Sequence, residues 1–176
     1  MDNSLIKAYK ESLKRVNANK FTNLSLGIGT NICAKGVGLG FALTNPTLTN
    51  KYGRNRLESY YNKGTYSYRR LFKSKPMMID GIEYKDVEEA YQCLKTGDHE
   101  YDNALMFTLI TYKFTTYPDL YHRINEKGGL KYLYDCIHQP TNKKDWYYTN
   151  GSNGFMKILL ASYLFIQKIL NANEKR

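Results

Sequence analysis

The sequence predicts an α+β domain, a single compact and mainly helical unit with a small β-sheet, and three observations carry that prediction. Apolar residues recur at helical spacing over residues 4–18, 101–114 and 154–170. A short apolar run, Met77 to Ile79, meets a second, Ile82 to Tyr84, across Asp80-Gly81, a pair that suits a tight hairpin because both residues tolerate positive φ. Between the first helix and that hairpin, apolar residues alternate with glycines through Val37, Leu39 and Phe41, which suggests short strands with close backbone approach. At 176 residues the chain is long enough for one good core, so residues 1–176 form a single expected domain.

In residues 4–18, Leu5, Ile6, Tyr9, Leu13 and Val16 make one stripe, the mark of an amphipathic packing helix. Residues 24–43 carry Gly27, Gly29, Gly36, Gly38 and Gly40, but without the third glycine of a dinucleotide fingerprint and without a Gly-Lys-Ser/Thr phosphate loop. Asn45-Pro46 predicts a turn. After the hairpin, Asp86 followed by Glu89 is a capping-box-like helix start. Val87, Ala90, Tyr91 and Leu94 then share one face, and Glu88, Gln92 and Lys95 another. Leu105, Met106, Leu109 and Tyr112 mark a helix that begins near Asp98 or Asp102. Pro118 suits the first turn of the next helix, which runs to about Asn125 before Gly128-Gly129 stops it, and residues 130–137 suit another short one. Gln139 to Asn153 is expected to be a loop. Residues 154–170 are apolar nearly all round, hence central, with a frayed tail from Asn171 to Arg176.

Composition narrows the classes. Cys33, Cys93 and Cys136 are odd in number and widely spaced, as for reduced thiols, and His99, His122 and His138 lack ligand spacing, so no metal or other cofactor is expected. No stretch is expected to cross a bilayer, and the start Met1-Asp2-Asn3-Ser4 lacks an apolar signal core, which together predict a cytoplasmic protein without a membrane partner. The abundance of Tyr, Asn and Lys fits an AT-rich genome such as that of a bacteriophage, in which case the location is the host cytoplasm. The oligomeric state leaves no mark in the sequence.

The balance of 26 basic against 16 acidic residues is unevenly spread. Lys51, Arg54, Arg56, Lys63, Arg69, Arg70, Lys73 and Lys75 are opposed by Glu58 alone, with Tyr52, Tyr60, Tyr61, Tyr66, Tyr68 and Phe72 interleaved. Basic groups neutralise phosphates while aromatic faces stack on bases, so this segment suits a nucleotide or nucleic-acid partner; its bland alternative is a solvated basic loop with tyrosines on the core.

Asp80, Gly81, Glu88, Tyr91, Gln92 and Lys95 are followed in order by Lys113-Phe114-x-x-Tyr117-Pro118-Asp119-Leu120 and by Asp145-Trp146-Tyr147-Tyr148 with Gly151 and Asn153. This succession resembles the NADAR, or YbiA-like, family over about the last hundred residues, with residues 76–170 as the similar region and 1–75 preceding it. The resemblance implies a YbiA-like fold and an N-glycosidase acting on ribosyl-phosphate metabolites or on ADP-ribose attached to guanine. Arg70, Leu71 and Phe72 stand where members usually carry Ser-Asn-Phe, so only Phe72 keeps that part of the pattern. Gly154 stands where an Arg often follows the late Asn, and a helical insertion with a Gly-Arg pair is lacking after Lys95.

Breaking a ribosyl C1′–N bond needs a carboxylate to orient water or stabilise the developing oxocarbenium ion, an aromatic wall for the base, and donors for phosphates. Glu88, in a first helical turn, and Asp145, beside three aromatic residues, are the expected catalytic carboxylates. Trp146 and Tyr148 would stack the base, Gln92 and Asn153 would hydrogen-bond base or ribose, and Lys95, Arg54, Arg56, Arg69 and Arg70 would contact phosphate or nucleic acid. Without the resemblance, Glu88 is a solvated first-turn acid and Asp145 a turn residue. The expected ligand is ADP-ribose-like or another nucleotide. The alternative is a non-catalytic binder of ADP-ribose, nucleotide or nucleic acid on the same scaffold, which the altered motif residues favour.

Overall fold

A computed structural model of the chain describes residues 3–18, 32, 38–45, 77–84, 86–136, 138 and 154–176. Within these residues the protein is mostly helical with one small antiparallel sheet, an α+β arrangement at the coarse level. Helix α1 is Asn3–Ala18 and the short α2 is Gly38–Ala42. Strands β1, Met77–Ile79, and β2, Ile82–Tyr84, are followed by α3, Val87–Leu94, and α4, His99–Thr116. The chain continues with α5, Pro118–Glu126, α6, Leu130–Asp135, and α7, Gly154–Glu174.

The core forms where α1, α4 and α7 pack on one another. Phe107 of α4 sits at that junction: its ring lies 5.5 Å from Tyr9 of α1 and 5.5 Å from Phe165 of α7, tilted and edge-on respectively. Such offset aromatic pairs contribute beyond their buried area. Helix α4 buries Ala104, Leu105, Met106, Phe107, Leu109, Ile110 and Phe114, which cover more than one face because α1, α3, α5 and α7 all pack around it. Ser162 Oγ donates to the Phe107 carbonyl at 3.3 Å and Arg15 donates to the Leu164 carbonyl at 3.0 Å, so polar groups tie both neighbours of α7 to it.

Local chemistry sets most element ends. Asp80 and Gly81 adopt φ of 50° and 78°, so the turn uses the positive φ values that Asp-Gly allows, and the register pairs Met77 with Tyr84 and Ile79 with Ile82. Asp86 caps α3, accepting from the Glu89 amide at 2.8 Å, and Asp98 caps α4, accepting from the Tyr101 amide at 2.8 Å. Asp102 thus has a different task. Its buried carboxylate accepts from the amides of Thr96 and Gly97 at 2.7 and 2.9 Å and from the Thr96 hydroxyl at 3.1 Å, closing the α3–α4 connection. Pro118 occupies the first turn of α5, and Phe114, Tyr117 and Leu120 are buried around that corner.

Three expectations need correction. Leu39 and the segment around it form the helix α2 instead of a strand, because Leu39, Ala42 and Leu43 fall at i, i+3 and i+4 and are all buried. The remainder of the Gly-rich segment and the loop from Gln139 to Asn153, His138 apart, lie outside the described residues. The tail is not frayed from Asn171: α7 continues to Glu174, since extending an existing helix costs little compared with starting one. Finally, α7 with its 21 residues is long and apolar enough to cross a membrane by length and composition, contrary to the expectation of no such stretch. Its buried residues from Phe155 to Ile166 instead pack against other helices of the fold.

Candidate functional site

Helix α3 and the turn after α2 meet at Glu88. The Asp86 cap starts α3, so Glu88 falls in its first turn, half-buried, with Val87, Ala90 and Tyr91 turned to the core. One turn later, Gln92 Nε2 donates to Glu88 Oε1 at 2.9 Å, the contact that i, i+4 spacing allows. The second carboxylate oxygen is met from elsewhere: Asn45 Nδ2 donates to Glu88 Oε2 at 3.3 Å. Asn45 follows α2, and its amide also lies 3.5 Å from Met106 Sδ on α4. A carboxylate only accepts, so two amide donors on opposite oxygens fix the direction of its remaining lone pairs.

Two turns along α4 from Met106, Lys113 lies on the same buried face. Its side chain is buried and donates to the Thr44 carbonyl at 2.6 Å, one residue before Asn45. Burial pushes the Lys113 ammonium down to about 7, while the nearby Asp86 carboxylate acts in the opposite direction. Burial likewise raises Asp86 above the ordinary carboxylate range; the Glu89 amide and Lys113 counter that rise, and Glu88 and Glu89 add to it. Asp86, Glu88, Gln92, Asn45 and Lys113 therefore form a polar cluster where the turn after α2 meets α3 and α4.

Of the residues expected at a site, Glu88 and Gln92 come together. Lys95 does not join them: it ends α3, is exposed, and its ammonium lies over the Tyr91 ring, 6.0 Å from the centroid. Asp145, Trp146, Tyr148, Asn153, Phe72, Arg54, Arg56, Arg69 and Arg70 all lie outside the described residues. Asn45, Lys113 and Asp86 are not expected at the site from the sequence: Lys113 enters only as part of a motif and Asp86 only as a helix cap. Asn45 appeared only as a turn residue, and nothing local marks its reach to Glu88. Lys113 did carry a signal, a cation in the apolar stripe of Met106 and Ile110.

Other polar features serve the fold. His138 hydrogen-bonds the Ile32 carbonyl at 2.7 Å through Nδ1 and packs on Phe155, and Tyr163 hydroxyl donates to Asn125 while its ring stacks on Tyr121. Cys136 is buried and Cys93 exposed, both free thiols. Among the described residues no group of three or more His, Cys, Asp or Glu is placed to hold a metal ion. Two open grooves run beside α1, one lined by Lys7, Lys10, Lys14 and Glu100 and the other by Thr96, Asp98 and Tyr101, and neither includes Glu88.

No protein-family model, curated protein or solved structure matches this chain.

Proposed function

We propose that the protein is an N-glycosidase-like hydrolase of YbiA-like architecture, cleaving the ribosyl–base bond of an ADP-ribosylated guanine or a related ribosyl-nucleotide in the cytoplasm. The observation that supports it is the Glu88 carboxylate, half-buried and oriented by Gln92 on one oxygen and Asn45 on the other. Fixed in this way, a carboxylate can face the cationic sugar carbon that develops as the C1′–N bond breaks, or hold the water that attacks it. The water oxygen bonds to C1′, and its proton goes to the departing base nitrogen. Asp145 is proposed as the partner carboxylate, Trp146 and Tyr148 as the base-stacking wall with Phe72, and Asn153 as a further hydrogen-bonding group. Lys95, Arg54, Arg56, Arg69 and Arg70 are proposed to meet the phosphates or a nucleic-acid strand.

The test is release of free ADP-ribose from an oligonucleotide bearing ADP-ribosylated guanine. Glu88→Gln keeps the size of the side chain and removes its charge, and should reduce release by about a hundredfold or more with the fold intact. Undiminished turnover in that variant would take Glu88 out of the mechanism. A second reading, a binder without turnover, is favoured by the same geometry, because a carboxylate held by two neutral amides is a well-placed acceptor for ribose hydroxyls even when no bond is cleaved. It predicts calorimetric binding of ADP-ribose, weakened in Glu88→Gln, with no product formed by the wild-type protein.

A further inference from the structure

We propose that Lys113 is a positioning residue that acts on Glu88 through Asn45, by holding the Thr44 carbonyl and so fixing the turn from which the Asn45 amide reaches the carboxylate. The inference rests on Glu88 being the carboxylate of the site.

Helix α2 is only five residues long, and beyond it the chain must turn at Thr44 and Asn45. A helix this short ends with carbonyls that its own turns cannot satisfy, and a buried carbonyl without a donor is costly. Thr44 is buried, and its carbonyl oxygen receives the Lys113 ammonium at 2.6 Å across 69 positions of sequence. The next side chain, Asn45, donates to Glu88 at 3.3 Å. Lys113 also stands near the Asp86 carboxylate, the cap of the helix that carries Glu88. Lys113 therefore braces the turn behind Asn45 through a hydrogen bond, and in its protonated form its charge also favours the Asp86 carboxylate at the start of α3. It does not itself donate to Glu88, whose two oxygens are met by amides. Its action would be on direction: a carboxylate pointing the wrong way loses the alignment on which attack depends, and small misplacements of reacting groups are expensive.

The experiment combines turnover with side-chain amide NMR. Lys113→Met and Asn45→Ala, each made alone and together, are assayed on the oligonucleotide bearing ADP-ribosylated guanine. If Lys113 works through Asn45, each single change slows release about tenfold or more and the pair slows it no further. Effects that multiply would overturn the inference, since independent damage multiplies. In the same Lys113→Met sample, the Asn45 side-chain amide resonance should shift and its exchange with water should quicken, while the Gln92 side-chain amide holds its position. An unmoved Asn45 resonance in the folded variant would also overturn it.

A wild-type measurement stands in if Lys113→Met does not fold. The Asn45 amide and the Lys113 ε-methylene resonances are followed from pH 5 to 9, and Asp86, the cap of α3 near Lys113, its neighbour Glu89, and Glu88, the acceptor of the Asn45 amide, are followed through their own resonances. The inference expects the Asn45 amide to move in step with Lys113, and a change that follows only the carboxylates, or none, rejects it. Absence of turnover in the wild-type protein would defeat the hydrolase reading and leave the NMR arms to decide the positioning role by themselves.

Discussion

The Lys113 ammonium lies 2.6 Å from the Thr44 carbonyl oxygen, buried, with Asp86 as its charged neighbour. A lysine in that setting makes stability depend on pH, whereas a surface lysine whose proton affinity is the same folded and unfolded does not.

Unfolded, Lys113 would titrate near the ordinary lysine value of about 10, whereas burial holds it at about 7 in the folded protein. Between those values the unfolded chain carries the proton and the folded chain does not, so stability rises with pH, approaching about 1.4 kcal/mol per pH unit. The rise should be visible in urea titrations from pH 7 to about 9, where the buried Cys136 thiol, pushed up to about 11, begins to act in the opposite sense. Lys113→Met should flatten the profile over that window. A wild-type profile that is already flat would show that the Lys113 charge is not destabilised by burial.

Asp86 has two tasks, and two substitutions separate them. Asp86→Asn keeps a good cap for the Glu89 amide and removes the charge beside Lys113, so the onset of the pH-dependent rise should move to lower pH with little loss of α3. Asp86→Ala removes the cap as well and should cost about 1 kcal/mol more by chemical denaturation. Equal behaviour of the two variants would contradict the division of labour.

Asp102 satisfies two amides and one hydroxyl of the α3–α4 connection. Asp102→Ala takes the charged acceptor from donors on the exposed Thr96 and Gly97 and should lower stability by about 1–2 kcal/mol. Hydrogen exchange at the Thr96 and Gly97 amides should quicken in the variant more than exchange along α7.

Gly129 adopts φ of 66° and ψ of −130° at the start of α6, and a β-carbon there would meet the Tyr163 hydroxyl at 3.3 Å. Gly129→Ala should cost about 1–3 kcal/mol, because that backbone region is close to exclusive to glycine. Gly97 also has a positive φ, 91°, but open space beside it, so Gly97→Ala should cost less. The order of the two melting temperatures checks the argument.

Features set by near neighbours were legible in the chain itself. The positive φ values at Asp80 and Gly81, the Asp86 cap, the Pro118 corner and the Val87–Ala90–Tyr91 face each depend on residues within about one helical turn, and each lies where the pattern put it, while the structure chooses Asp98 over Asp102 as the cap of α4. The pairing of Glu88 with Gln92 belongs to the same class, a consequence of helical spacing. Leu39 shows where such reading weakens: five residues can satisfy an alternating and a helical pattern at once, and burial of Leu39, Ala42 and Leu43 on one side decides for the helix.

What folding alone decided is which distant groups meet. Asn45 and Glu88 are 43 positions apart, Thr44 and Lys113 69, and Tyr112 hydroxyl accepts from the Met78 amide across 34, anchoring the hairpin to α4. No periodicity encodes those contacts, since they follow from how the turn after α2, the hairpin and α3 come to lie beside α4 when the core packs. The amino-acid order by itself determined that a carboxylate would begin α3 with an amide one turn behind it. The tertiary structure alone supplied the second amide and the buried lysine behind the turn that carries it, because only the packed core brings the turn at Thr44 and Asn45 against α3 and α4 and buries Thr44 and Lys113 away from water.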